Sequence, residues 1–442
     1  MDLDAALARC AHAPLHRPHG VVLEVVGLIV EIGGLRAAVG DTLIIESDQS
    51  EPVEIEVIGF RAGRLVTTPL GAMSGVRQGS PVRHTHRGAS VAVSPQLLGR
   101  VVDAFGRPLD GGPPITNAGE YPVHNQPPPA FERRPIDSPF STGIRAIDGL
   151  TPLGIGQRVG IFSGAGVGKS TLLGMICRSS QADINVVGLI GERGRELNDF
   201  IRNSLGANGL ARSVIVTATS DQPPLLRARG AESATAIAEY FRDQGKNVLL
   251  VMDSITRFAM ATREAALAAG EPPATKGYPP SVFAALPRLL ERAGTTGRSG
   301  TITALYTVLV EGDDMSDPVA DSVRGILDGH IVLSRELAEK SHFPAIDVLQ
   351  SLSRLAIEVA PSHVMKSAAT IRELLAAHRE AADLIQVGAY QQGSDQRVEL
   401  AIKLNSEING FLRQDMGEMT HLAETYTRLQ ELAKQAESGT KR

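Results

Sequence analysis

The chain has 442 residues, 43% hydrophobic and 21% charged, with 44 basic against 49 acidic side chains and a net charge of -5. That length accommodates roughly two or three domains, and the acidic balance argues against a general nucleic-acid-binding surface. Cys10 and Cys177 stand too far apart to suggest a disulfide framework, which fits a reducing cytosol; no apolar run reaches the ~20 residues of a membrane span, and the N-terminus is not signal-like.

Residues 1–19 read as a short alanine-rich helical arm, in which His12 and His16 have no metal-like partners nearby. A β-rich region follows over 20–95. Its strand candidates are Val21–Val30, Leu35–Val39, Asp41–Glu46, Val53–Phe60 and Arg64–Pro69, broken by Gly and Asp. Short apolar strands with glycine turns predict a small closed β-barrel. An oligonucleotide-binding barrel is one reading, but aromatics are sparse and no basic-aromatic interleaving offers a stacking platform. A structural or oligomer-forming collar is the other. The region 96–367 reads as a linker and a nucleotide-binding domain. Leu98–Gly111 predicts strand, turn, strand, and the proline-rich text up to Pro135 reads as an ordered wrap or a flexible tether. Strand candidates then alternate with helical patterns: Gln157–Phe162, Ile184–Ile190, Ser213–Thr217, Asn247–Met252, Ile302–Leu309 and His330–Leu333. This is the βαβ signature of a parallel sheet. Residues 368–442 read as a helical domain, clearest over Ile371–Leu375 and Ile408–Leu432, interrupted at Gly388–Asp395 and frayed from Glu437 onward.

The stretch Val159–Thr171 carries the strongest chemistry. An apolar strand enters Ser163-Gly164-Ala165-Gly166-Val167-Gly168-Lys169-Ser170-Thr171, and a helical pattern follows. Glycines allow a tight turn whose backbone N–H groups, with those of Ala165, Val167 and Thr171, point at phosphate oxygens. The helix N-terminus adds a favourable dipole. Lys169 would reach the β and γ phosphates and Ser170 would coordinate Mg²⁺. The pattern G-x-x-x-x-G-K-[ST] is broken at its first position, where Ser163 stands.

Asn247–Ser254 is a buried strand ending in Asp253, placed to hold Mg²⁺ directly or through water. Arg257, one turn on, either orients the phosphate and metal shell or supports Asp253 as a salt bridge. Val186–Glu196 is another apolar strand ending in a charged turn, and Glu192 is the candidate to position and polarise the attacking water. Glu196 is a weaker candidate for that role, with a structural role as the alternative. Arg193 stabilises the γ-phosphate or bridges active-site acids. Further on, Phe343 is either an adenine-stacking face or core packing. Arg354 is either a guanidinium that stabilises transition-state charge or a structural salt bridge.

Several stretches together resemble the catalytic ATPases of type III protein export, relatives of the rotary ATP synthase β subunit. They include Leu189–Glu196, Arg227–Glu232, Tyr240–Lys246, Met252–Arg257, Gly270–Phe283, Glu311–Asp314, Ile326–Arg335 and Pro344–Ser353. The likeness covers nearly the whole chain and is weakest over residues 1–20. It implies an α/β P-loop (RecA-like) nucleotide-binding core with an N-terminal β-barrel and a C-terminal helical domain. It also implies ATP and Mg²⁺ as ligands, Lys169 and Ser170 on phosphate and metal, Asp253 as second acidic motif, and Glu192 activating water. Arg193 and Arg257 support the phosphate region and Phe343 lies on the adenine side. Arg354 is donated to a neighbouring subunit, which implies a homohexamer. The implied partners are a central coiled-coil stalk protein, a peripheral stator-like regulator, export-gate membrane proteins, and export chaperones and substrates, at the cytoplasmic face of the inner membrane. No nucleic acid is expected.

The resemblance tolerates Ser163. The interval Gly388–Asp395 lacks the acidic coupling text of synthase β subunits, which argues against a proton-driven synthase. The expected function is Mg-dependent ATP hydrolysis in flagellar protein export, with chaperone release and substrate delivery. The alternatives are a virulence injectisome ATPase, a synthase-type subunit, a ring-shaped RNA translocase and a non-enzymatic scaffold.

Overall fold

Short alternating strands near the N-terminus pair partly in hairpins and partly across longer connections until the sheet closes on itself. The computed structural model describes residues 19–47, 51–310, 316–391 and 393–440; the expected N-terminal arm lies outside them. One compact unit comprises residues 1–89, with 223–226 and 264–272. Its described part holds β1 (Gly20–Val26), β2 (Ile29–Gly33), β3 (Asp41–Ile45), β4 (Val53–Arg61), β5 (Arg64–Pro69) and β6 (Pro81–Gly88), closed in the order β1-β2-β5-β4-β3-β6. Closure removes the sheet edges. Inward-facing Val22, Ile32, Leu43, Ile45, Ile55 and Val82 fill the interior.

Two expectations are corrected here. The single strand Val21–Val30 is a hairpin, because Gly27 at φ 58° turns the chain between β1 and β2. Leu35–Val39 is not a strand: the Asp41 carboxylate accepts the Ala38 N–H at 2.7 Å, a local turn that replaces ladder pairing.

The second unit, residues 90–222, 227–263 and 273–442, is built on a sheet in the order β14-β13-β8-β12-β11-β9-β10-β7. These strands are β7 (Val101–Val102), β8 (Arg158–Ser163), β9 (Ile184–Ile190), β10 (Ser213–Ala218), β11 (Asn247–Asp253), β12 (Thr301–Leu309), β13 (Gly329–Leu333) and β14 (Ile346–Ser353). Along this order only the β13–β14 pair is antiparallel. The whole of β9 and β10 is buried, as expected of parallel strands covered on both faces. β14 closes one edge of the sheet; its sequence, 346–353, carries a resemblance but had not been read as a strand.

The strand-turn-strand expectation over Leu98–Gly111 reduces to β7 and a single bridge between Val102 and Pro108. The proline-rich stretch is an ordered wrap, not a tether. Arg133 donates to the Ala293 carbonyl at 2.9 Å, and Arg134 to those of Thr296 and Ser299, both at 3.0 Å.

Helix α1 (Lys169–Ser179) follows β8, and α2 (Ser362–Gln386), α3 (Gln396–Leu412) and α4 (Leu422–Thr440) form the C-terminal region. The break at 388–395 falls between α2 and α3, with the Asp395 side chain capping α3. The pattern read through Ile408–Leu432 is cut at residues 413–421, where buried Gln414 is held by hydrogen bonds (below) instead of a helical ladder. Of the stretch expected to fray from Glu437 onward, the described part to Thr440 is helical, and residues 441–442 lie outside the described residues.

Candidate functional site

Open parallel sheets gather loops at the C-terminal ends of their strands, and the candidate residues leave β8, β9 and β11 at that edge. Ser163 is the last residue of β8, buried and paired between Leu309 of β12 and Leu333 of β13. It lies in regular strand, and the turn needing positive φ starts later, at Gly166 (77°) and Gly168 (87°). The departure from glycine at Ser163 therefore costs the loop nothing. Val167 is buried in the core and can offer a ligand only its backbone.

Lys169 opens α1. Its Nζ donates to Asp253 Oδ1 at 2.5 Å and lies 3.9 Å from Glu192 Oε1. Asp253 ends β11, is almost fully buried, and accepts the Thr307 hydroxyl at 2.6 Å on the same oxygen. Its Oδ2 remains for a cation. Ser170, Thr171, Glu192, Arg193, Glu196, Asp253 and Arg257 share one cavity of about 420 Å³ with the glycines. A hydroxyl and a carboxylate beside a phosphate-sized hollow suit Mg²⁺, a hard cation that prefers oxygen ligands.

Burial lifts the Glu192 carboxyl to about 7, helped by its hydrogen bond with Glu196 and the nearby charge of Asp253, and opposed by Lys169. The same hydrogen bond holds Glu196 below its ordinary value. Glu196 therefore acts on the Glu192 carboxyl, an influence that spacing alone did not reveal. The Arg193 side chain is largely exposed, 4.0 Å from Glu196. Arg257 Nε is buried without a hydrogen-bond partner, consistent with an anion to come. The Arg257 stem packs over Gly191, where an added Cβ would lie 3.0 Å from Arg257 Cβ.

Phe343 does not pack in the core; it is 45% exposed. It lines a second cavity of about 640 Å³ with Gly166, Gly168, Thr171 and Met175 on one side and residues 413–418 on the other. Its carbonyl accepts the Gln414 N–H at 2.9 Å. Two residues here were not singled out from sequence. Gln414 accepts the Arg145 N–H at 2.9 Å and donates to the Gly143 carbonyl at 2.7 Å. Arg145 is buried, donates to the Phe411 carbonyl at 2.8 Å, and pairs with Glu418. An arginine inside the apolar text Gly143–Leu150 was the available signal.

Arg354 is elsewhere. It follows β14, and its N–H bonds the Asp328 carbonyl at 2.9 Å. The Asp328 side chain in turn takes the backbone N–H of Arg158, the first residue of β8. Arg354 thus sits at the N-terminal edge of the parallel strands, the opposite edge from Lys169. Its guanidinium is exposed and, among the described residues, reaches only the Arg324 carbonyl, at 3.3 Å, with no salt bridge.

The description ATP synthase alpha/beta family, nucleotide-binding domain, matches residues 143–353, and T3SS EscN ATPase C-terminal domain matches residues 359–431. The chain is 48% identical over 421 residues to a flagellum-specific ATP synthase of Bacillus subtilis, covering 94% of this chain and 95% of that one. It is 50% identical over 405 residues to a type 3 secretion system ATPase of Xanthomonas euvesicatoria, covering 91% of each. The chain belongs to the flagellar and type III secretion export ATPase family. Among solved structures, this export ATPase is similar to the assembled ATPase EscN of enteropathogenic E. coli, with TM-score 0.87, 43% identity, and coverage of 94% of this chain and 100% of that one. The same figures hold for EscN in complex with its central stalk EscO. The export ATPase is thus an ATP-hydrolysing enzyme with a RecA-like core, a six-stranded barrel and a C-terminal helical region. No helix among its described residues is long and apolar enough to cross a membrane.

Proposed function

We propose that this export ATPase hydrolyses ATP at sites shared between neighbouring copies of itself in a homohexameric ring. The observation that carries the proposal is the placement of Lys169, Glu192 and Asp253 at one edge of the sheet and Arg354 at the other. Ser170 and Asp253 would hold Mg²⁺, which when bound neutralises phosphate charge. Lys169, now engaged by Asp253, takes the β and γ phosphates as competing anions. Glu192 accepts the hydrogen bond of the attacking water and orients it. Arg257 and Arg193 face the phosphate, Phe343 stacks the adenine, and the backbone of Gly164–Thr171 cradles the phosphate chain. Arg354 of one copy completes the cavity of the next.

The work so driven is chaperone release and delivery of export substrates to the membrane gate, from the cytoplasmic face of the inner membrane. A central coiled-coil stalk in the ring channel and a peripheral stator-like regulator are the further partners. The stalk is supported by the likeness to EscN in complex with EscO. Between the two systems, relatives of both names are 48–50% identical. The injectisome reading is better supported than the flagellar preference drawn from sequence, because the C-terminal match and the similar solved structures are of injectisome ATPases.

Two experiments test the proposal. Specific ATPase activity is expected to rise steeply with protein concentration as rings assemble, and constant specific activity across an assembly transition would overturn the shared-site reading. Expression in strains lacking either ATPase is expected to restore effector secretion rather than motility; restored motility alone would return the flagellar reading.

A further inference from the structure

The edge strand β14 and the residue that follows it present an outward face of which the catalytic reading uses only Arg354. Ser351 and Ser353 are buried, while Gln350, Leu352 and Arg354 alternate with them and are exposed. Leu352 is a large aliphatic side chain 50% exposed, and Ile357, three residues beyond Arg354, is 81% exposed. Side chains two residues apart on one face of a strand lie about 7 Å from each other. A charged edge would serve an edge strand better as protection against association; this edge instead presents leucine beside its arginine.

We propose that Leu352 is an interface anchor that seats Arg354, packing against Leu197 of the partner subunit on the rim of that subunit's phosphate cavity. The inference rests on the shared-site reading above, and it adds the apolar pair that fixes the arginine's approach. If Arg354 enters the cavity holding Lys169, a side chain about 7 Å from it falls on the cavity rim. Leu197 is on that rim: it lines the cavity on the helix Gly194–Asp199, and although it packs against its own chain's core, part of its surface stays open to solvent. Its neighbours there, Arg193, Arg195 and Glu196, are exposed and charged, so a leucine partner has one apolar counterpart on that turn. An apolar contact flanking a charged group excludes water from it, which strengthens the electrostatic interaction it protects.

The test uses the full chain. Leu352→Asp and, separately, Leu197→Asp are expected to raise the protein concentration at half-assembly about ten-fold or more, as loss of one buried apolar contact implies. Turnover of Leu352→Asp is expected to recover toward the parent's at saturating protein; Leu197→Asp, on the cavity wall, is read by its assembly midpoint alone. Binding of a fluorescent ATP analogue to unassembled chains reports whether each variant is folded. Leu352→Asn repeats the measurement with a milder change. A Leu352→Cys, Leu197→Cys double variant is expected to form an interchain disulfide on oxidation of assembled protein, and neither single variant is. An unchanged assembly midpoint in a variant that still binds nucleotide, or no crosslink in the assembled double variant, overturns the anchor. Arg354→Ala separates the two ideas. It is expected to assemble at the parent's midpoint and lose turnover; if it turns over like the parent, the shared-site reading fails whatever Leu352 does.

Discussion

Replacing Arg354 with alanine tests whether the catalytic site is built from one chain or two. The geometry sets the size of the effect. Arg354 is fastened at the Arg158 end of β8, whereas the phosphate loop leaves the Ser163 end. Five residue steps at about 3.3 Å each separate those ends by roughly 17 Å. A unit charge at that distance from the transferring phosphate is worth about 1 kcal/mol at an effective dielectric near 20, or roughly five-fold in rate. At about 4 Å the same charge is worth about 4 kcal/mol, or roughly a thousand-fold, within the range known for such arginines. Acting only within its own chain, Arg354→Ala would therefore lower kcat by no more than about five-fold. Acting on a neighbour, it lowers kcat by about a thousand-fold or more. The assay is steady-state ATP hydrolysis at protein concentrations that saturate assembly. A mixing experiment follows, pairing Arg354→Ala with Lys169→Ala. Each is inactive alone, yet random co-assembly places an intact Lys169 opposite an intact Arg354 at about a quarter of the interfaces. Activity well above that of either variant is expected. A kcat loss below about five-fold, or no gain from verified mixed rings, would refute the reasoning.

Other perturbations separate the remaining roles. Glu192→Gln is expected to lower kcat by about 10²–10⁴-fold while ATP binding persists, measured by turnover and by nucleotide titration. Because the Glu192 carboxyl is raised to about 7 and must be ionised to accept a proton, kcat/KM is expected to climb as pH rises through 7 and to level off above it. Loss of that limb in Glu192→Gln checks the assignment. Phe343→Ala is expected to weaken ATP binding by about 1–3 kcal/mol with little change in kcat, the value of one base–aromatic stack, read by titration and by the split of KM from kcat. Ser163→Gly is expected to leave nucleotide affinity unchanged and to cost about 0.5–1 kcal/mol of stability in denaturant melts, because the position is strand and not loop. Chelation of divalent metal is expected to abolish turnover, and added Mg²⁺ to restore it.

Periodicity exposed the barrel and the parallel sheet because burial imposes it directly: β9, β10 and β11 read as continuous apolar runs since both their faces are covered. It failed where a side chain, not the ladder, sets the backbone. Asp41 captured the Ala38 amide and removed a predicted strand. Arg145 and Gln414 pinned residues 413–418 and broke a predicted helix. β14 was missed as a strand because its inner positions are Ser351 and Ser353, so the apolar residue at 352 faces outward and reverses the usual pattern. In the site, local text marked Lys169, Glu192 and Asp253, each ending or following a strand. It could not mark the influence of Glu196 on the Glu192 carboxyl or the Arg145–Glu418 pair, which depend on how the chain folds back on itself.

The same loop that broke the helix prediction links the base pocket to the C-terminal helices. Phe343 and Gln414 share a backbone hydrogen bond across the mouth of the pocket, so neither side moves without the other. Gln414 is tied to Gly143 and Arg145, and Arg145 holds the last turn of α3 through the Phe411 carbonyl. Residues 143–150 in turn lead through Leu153 and Gly154 to β8 and the phosphate loop. A nucleotide spanning both cavities would touch each end of this chain of bonds, the phosphates at Gly166 and Gly168 and the base at Phe343. The buried Arg145 guanidinium fixes this end of α3 to the loop beyond it through four acceptors, on Phe411, Arg413, Glu418 and Thr420. The base pocket, the phosphate loop and the C-terminal helices are therefore joined within the chain by one continuous run of hydrogen bonds and backbone.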